Sequence, residues 1–108
     1  MEKERRLRGA VSLAERKGRL GQYYTILWQI PPGLAMEKVQ VIFKYQQSGS
    51  GSQVKRMATH FNSSDVKGKT EFAIIGDDYF NNGRVLAWHC SLVRGSEVIA
   101  TEQSYLWE

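Results

Sequence analysis

An all-β sandwich of about six to seven antiparallel strands is the fold that the sequence predicts, and three observations predict it. Apolar and polar residues alternate in short segments along the body. Turn-forming residues separate those segments at regular intervals. No segment carries a convincing long apolar period of the helical kind. A small β-barrel satisfies the same observations and is the alternative architecture. The 108 residues hold one core rather than two, and 42% hydrophobic with 24% charged residues excludes wholesale disorder. Residues 1–20 read as a basic N-terminal arm that can contribute a first strand, and residues 21–108 as the β-sandwich domain.

The elements follow in order. In the arm, Leu7, Ala10, Val11 and Ala14 fit a helical stripe, but Gly9 and Gly18 weaken a helix. Val11 and Leu13 fit alternation, so a strand over 10–16 is the preferred reading beyond residue 9. Tyr23 to Ile30 is rich in aromatic and β-branched residues, and Pro31-Pro32-Gly33 ends it. In 39–46, Val39, Val41, Phe43 and Tyr45 share one face, while Gln40, Lys44 and Gln46 share the other. A Gly/Ser connection at 48–52 leads to a strand at about 53–61, whose charged residues suit a sheet edge. Glu71 to Ile75 is a short strand, and Gly76-Asp77-Asp78 and Asn81-Asn82-Gly83 read as turns. In Arg84 to Val93, Leu86, Trp88, Cys90 and Leu92 form the core face; Val85, Ala87, His89, Ser91 and Val93 form the other. Arg94-Gly95-Ser96 turns the chain into a last strand at about 97–106.

In general architecture this pattern is immunoglobulin-like. Trp28 and Trp88 serve as core anchors, and Tyr79 follows Asp77 ahead of a strand, as in a tyrosine corner. The chain departs from the immunoglobulin pattern in two respects: Cys90 is its one cysteine, and Trp28 lies on an early strand.

The chemistry-bearing residues favour no catalytic constellation. His89 and Cys90 are neighbours on a strand and point to opposite faces, so they do not form a thiolate–imidazole pair. His60 is the only other histidine, too few for a zinc site. Asp77-Asp78 follows a glycine at a strand end, where aspartate closes turns. The Gly/Ser segment lacks the phosphate-loop spacing. The expectation is therefore a protein that is not an enzyme and needs no metal or cofactor.

Two binding readings remain. The first is a non-catalytic module for protein–protein interaction or self-association. It uses an outer apolar patch of Ile42, Val85, Ala87 and His89, with the Gly/Ser loop as rim, or an exposed strand edge. The second rests on charge. Residues 1–20 carry seven basic and three acidic side chains, while 21–108 carry eight of each. Arg5, Arg6, Arg8, Arg16, Lys17 and Arg19 would bind a polyanion, nucleic acid or an anionic membrane surface. No apolar run is long enough to cross a bilayer as a helix. The single cysteine and the absence of an apolar stretch after the first charges fit a cytoplasmic protein. They fit equally an exported domain whose signal or anchor has been removed.

Overall fold

Alternation decides the architecture. The computed structural model describes residues 9–30 and 37–107. Among these, seven strands and one short helix follow in the order β1 (Ala10–Lys17), β2 (Gly21–Gln29), β3 (Val39–Gln47), β4 (Lys55–Phe61), β5 (Lys67–Ile75), α1 (Gly76–Asn82), β6 (Val85–Arg94) and β7 (Glu97–Gln103). The strands form two antiparallel sheets, β1-β2-β5 and β4-β3-β6-β7, packed as a β-sandwich. β4 is an edge strand, as its charged residues require. It pairs with β3 and not with β5, so the sheets are three and four strands wide. That differs from the constant-type immunoglobulin arrangement, in which the fourth strand joins the fifth.

The inward faces supply the core. β2 contributes Tyr24, Ile26 and Trp28; β3 contributes Val39, Val41, Phe43 and Tyr45; β6 contributes Cys90 and Leu92. Phe43 lies at the centre, with its ring centroid 4.8 Å from Tyr24, 5.5 Å from Phe72, 5.6 Å from Tyr45 and 6.3 Å from Trp88. Rings from both sheets thus meet on one side chain, each pair adding to the area term. A second pair, Trp28 and Phe61 at 4.9 Å, closes the opposite part of the core. β5 begins earlier than its apolar residues imply, because the indole of Trp28 fills the space above Gly68. A Cβ on Gly68 would lie 2.8 Å from that ring, so a small residue there is what lets the strand pass.

Three local features depart from plain alternation. Gln46 pairs with Ala87 but Gln47 pairs with Val85, so Leu86 is the extra residue of a bulge. Val85 therefore turns inward and packs against the core, while Leu86, expected inside, is exposed. A second irregularity between Leu92 and Val93 lets the consecutive residues Ile99 and Ala100 both be buried. The segment expected to turn at 76–82 is instead the helix α1, with Asp77 and Asp78 in its first turn and Gly83 as C-cap.

Candidate interaction surface

The outer face of the four-stranded sheet holds three of the four residues expected to form an apolar patch. Ile42 is half-buried, between Ala58 of β4 and Ser91 of β6. Ala87, opposite Gln46, is buried and offers almost no area. His89, opposite Lys44, lies against Trp107, with ring centroids 5.6 Å apart. Burial, and then the charge of Lys44, lower the His89 pKa below its ordinary value. Val85 is separated from them on the inward side, for the bulge reason given above. Trp107 thus folds back onto this face, while Ser104 continues the pairing of β7 with β6. Trp88 N–H donates to Ser104 Oγ (2.9 Å), and Ser104 N–H donates to Trp88 O (3.0 Å). This sheet face therefore presents Ile42 but not a continuous apolar patch.

Cys90 faces Phe43 and is fully buried. Burial, followed by the Glu102 charge, pushes its thiol up to about 12, so it stays protonated near neutrality. The imidazole of His89 lies on the other side of the sheet. Among the described residues, no group of three His, Cys, Asp or Glu side chains is placed to hold a metal ion. No helix among them is long and apolar enough to cross a membrane.

A different surface emerges from the topology. In this antiparallel order, the β1–β2 turn, the β3–β4 loop, the α1 connection and the segment after β7 all lie at one end of the sandwich. Ten large apolar residues are exposed among the described residues, and seven of them occupy this end: Leu20, Val54, Ile75, Phe80, Leu86, Tyr105 and Leu106. Leu20 is 60% exposed, Phe80 64% and Tyr105 99%. Ile75 pairs with Gly21, and its Cγ2 lies 2.9 Å from where a Gly21 Cβ would be, next to Leu20 along the chain. Isolated apolar side chains on a surface are ordinary; their concentration at one end is not.

Buried polar groups hold this end in a fixed shape. Gln22 lies in the core of one sheet, and its Oε1 accepts from the Val85 N–H of the other at 2.7 Å. Its Nε2 donates to Glu15 Oε2 (2.6 Å) and to the Tyr24 hydroxyl (3.1 Å). Gln47 Nε2 donates to Asp78 O (3.1 Å) and Gly83 O (2.9 Å), fixing both ends of α1 against β3. The Asp78 carboxylate accepts from Tyr45 Oη (3.0 Å), Asn82 Nδ2 (3.2 Å) and Lys55 Nζ. Burial alone would raise the Asp78 carboxyl. The bonds from Lys55, Tyr45 and Asn82, with the Lys55 charge, outweigh it and hold the group below the usual carboxylate range. The Gly/Ser loop is tied to the same helix by Gly49 N–H to Asn82 O, 2.6 Å. These bonds tie the β1–β2 turn, the Gly/Ser loop and α1 to the sheets, so the loops present their apolar residues from a fixed frame, although the buried Gln47 Oε1 has no partner among the described residues.

Beside Leu20 lies a shallow recess of about 380 Å³, lined by Arg16, Gly18, Arg19, Leu20 and Tyr23. The Arg16 guanidinium sits 4.3 Å from the Tyr23 ring centroid. Arg16 and Lys17 end β1 and Arg19 lies in the turn, all exposed. Arg5, Arg6 and Arg8 lie outside the described residues.

The chain matches no protein-family model, no curated protein and no solved structure. Sequence reasoning missed the loop-end surface because its members are scattered from position 20 to position 106. Each of them lies in or beside a turn-forming stretch, and that is the one sequence signal they share.

Proposed function

We propose that this chain is a non-catalytic β-sandwich module that binds another protein through its loop end. One observation carries the reading: seven of the ten exposed large apolar side chains among the described residues share that end. Apolar burial drives protein association, and a few central large side chains carry most of the energy. The buried Gln22 and Asp78 networks support the reading, because a preorganised surface loses less entropy on binding. The sheet face offers less, since Ala87 is already buried and Val85 packs inward.

The double variant Leu20→Ser/Phe80→Ser tests it. Partner capture should fall about tenfold or more, with thermal stability close to wild type because both side chains are exposed. Ile42→Ser on the sheet face should capture as wild type does. Equal capture by the double variant, or loss only with Ile42→Ser, would refute the loop-end assignment.

A further inference from the structure

The recess at the β1–β2 turn carries a more specific statement, which rests on the loop-end reading. We infer that its occupant is an acidic peptide segment of the partner, with an aliphatic or aromatic side chain next to its carboxylates. Arg16 and Arg19 both line the recess, and Lys17 stands between them in the chain. Among the described residues, no carboxylate lies within ion-pair distance of these three cations. Their charge is thus available to a ligand. Guanidinium groups pair with carboxylates through two parallel N–H···O bonds, a geometry that lysine does not offer.

Arg16 is preordered for this. Its guanidinium stacks on Tyr23, and the Tyr23 ring also covers Gly18, whose Cβ position would be 3.1 Å from Tyr23 Cε2. The tight turn is closed by Gly18 N–H to Gly21 O at 2.8 Å. A stacked guanidinium loses less freedom when it binds than a free one. Leu20 forms an apolar wall of the same recess, and Ile75 lies beside Gly21, the next residue in the chain. Cation and apolar wall together select a ligand that carries both a carboxylate and a large side chain.

The shape favours a peptide over an anionic lipid surface. A recess of this volume takes one or two side chains, whereas a bilayer meets a protein along a broad plane. Asp77 is exposed on α1 and Glu15 on β1, at the same end. A uniformly anionic plane would be brought against both, while a short segment lying over Arg16 and Arg19 avoids them.

Fluorescence anisotropy on the full chain tests the inference with three labelled twelve-residue peptides. One alternates Glu or Asp with Leu and Phe. The second replaces its acids by Gln and Asn, and the third replaces its apolar residues by Ser. The first should bind at least tenfold more tightly than either of the others. Arg16→Gln/Arg19→Gln should weaken it at least tenfold, and so should raising salt from about 50 to 500 mM. Leu20→Ser/Phe80→Ser should weaken it comparably. If the uncharged apolar peptide binds as well and only Leu20→Ser/Phe80→Ser weakens it, the loop-end reading stands and the acidic inference is wrong. Equal binding of the acidic peptide without apolar residues contradicts the inference in favour of simple polyanion attraction. Arg-dependent binding to phosphatidylserine vesicles, with none to any peptide, assigns the site to a membrane and overturns it. No binding to peptides or vesicles also overturns it.

Discussion

Phe43→Ala is expected to cost about 3–5 kcal/mol of folding stability and to lower Tm by about 15–30 °C. The side chain is fully buried and touches rings that belong to both sheets. Removing it takes away the transfer energy of a phenyl group and leaves a space that the neighbours cannot fill. Tyr24 is restrained at its hydroxyl by Gln22, and Tyr45 by Asp78. Phe72 is set by the β2–β5 register. The loss is large beside a typical net stability of about 5–15 kcal/mol. Urea unfolding monitored by tryptophan fluorescence measures it directly, since Trp88 lies 6.3 Å from the Phe43 ring. A loss below about 1 kcal/mol would show that Phe43 is not the junction of the two sheets.

Gly21→Ala is expected to cost about 3 kcal/mol or more. The backbone there has φ 154°, and a Cβ would stand 2.0 Å from the Ile74 carbonyl oxygen. That oxygen belongs to the strand paired with β2, so relief requires β5 to move away from β2. The next residue is Gln22, whose carboxamide joins the two sheets, so the displacement reaches the junction as well. Gly51→Ala is the control for left-handed backbone strain without a clash. It also has positive φ, at 65°, but nothing lies within 4 Å of its Cβ position. It should cost about 1–2 kcal/mol from conformation alone. Thermal denaturation of both variants measures what the close approach and the φ of 154° at Gly21 cost beyond ordinary left-handed strain; equal losses would mean that they add nothing.

The strand pattern was legible on β3 because its side chains alternate without interruption, and on β4, whose alternation is poorer, because its charges suit a sheet edge. Val39, Val41, Phe43 and Tyr45 face inward opposite Phe61, Thr59, Met57 and Lys55. On β6 the same reasoning held at Cys90 and Leu92 and broke at Leu86 and Val85. No glycine or proline marks that bulge. It arises from how β6 matches β3, which a single strand's sequence does not contain. The helix α1 spans seven residues, too few for an apolar period to appear. Its readable features were Asp77 and Asp78 at the start and Gly83 at the end.

The candidate surface was harder to read for a related reason. Leu20, Phe80 and Leu106 are remote in sequence and meet at one end only through the antiparallel connections. Alternation locates residues on sheet faces and is silent about loops. It therefore directed attention to Ile42, Val85, Ala87 and His89, of which Ala87 and Val85 are taken up by the fold itself. The basic residues Arg16, Lys17 and Arg19 were visible as charge, but their position beside an apolar recess needed the turn geometry.

An amide chemical-shift map of the isotope-labelled full chain, titrated with the acidic peptide that alternates with Leu and Phe, tests the loop-end assignment most directly. The largest changes should fall within residues 16–23 and 75–80, while Ile42, Ala58 and Ser91 on the sheet face stay unmoved. Saturable binding whose largest changes centre on Ile42, Ala58 and Ser91 would contradict it.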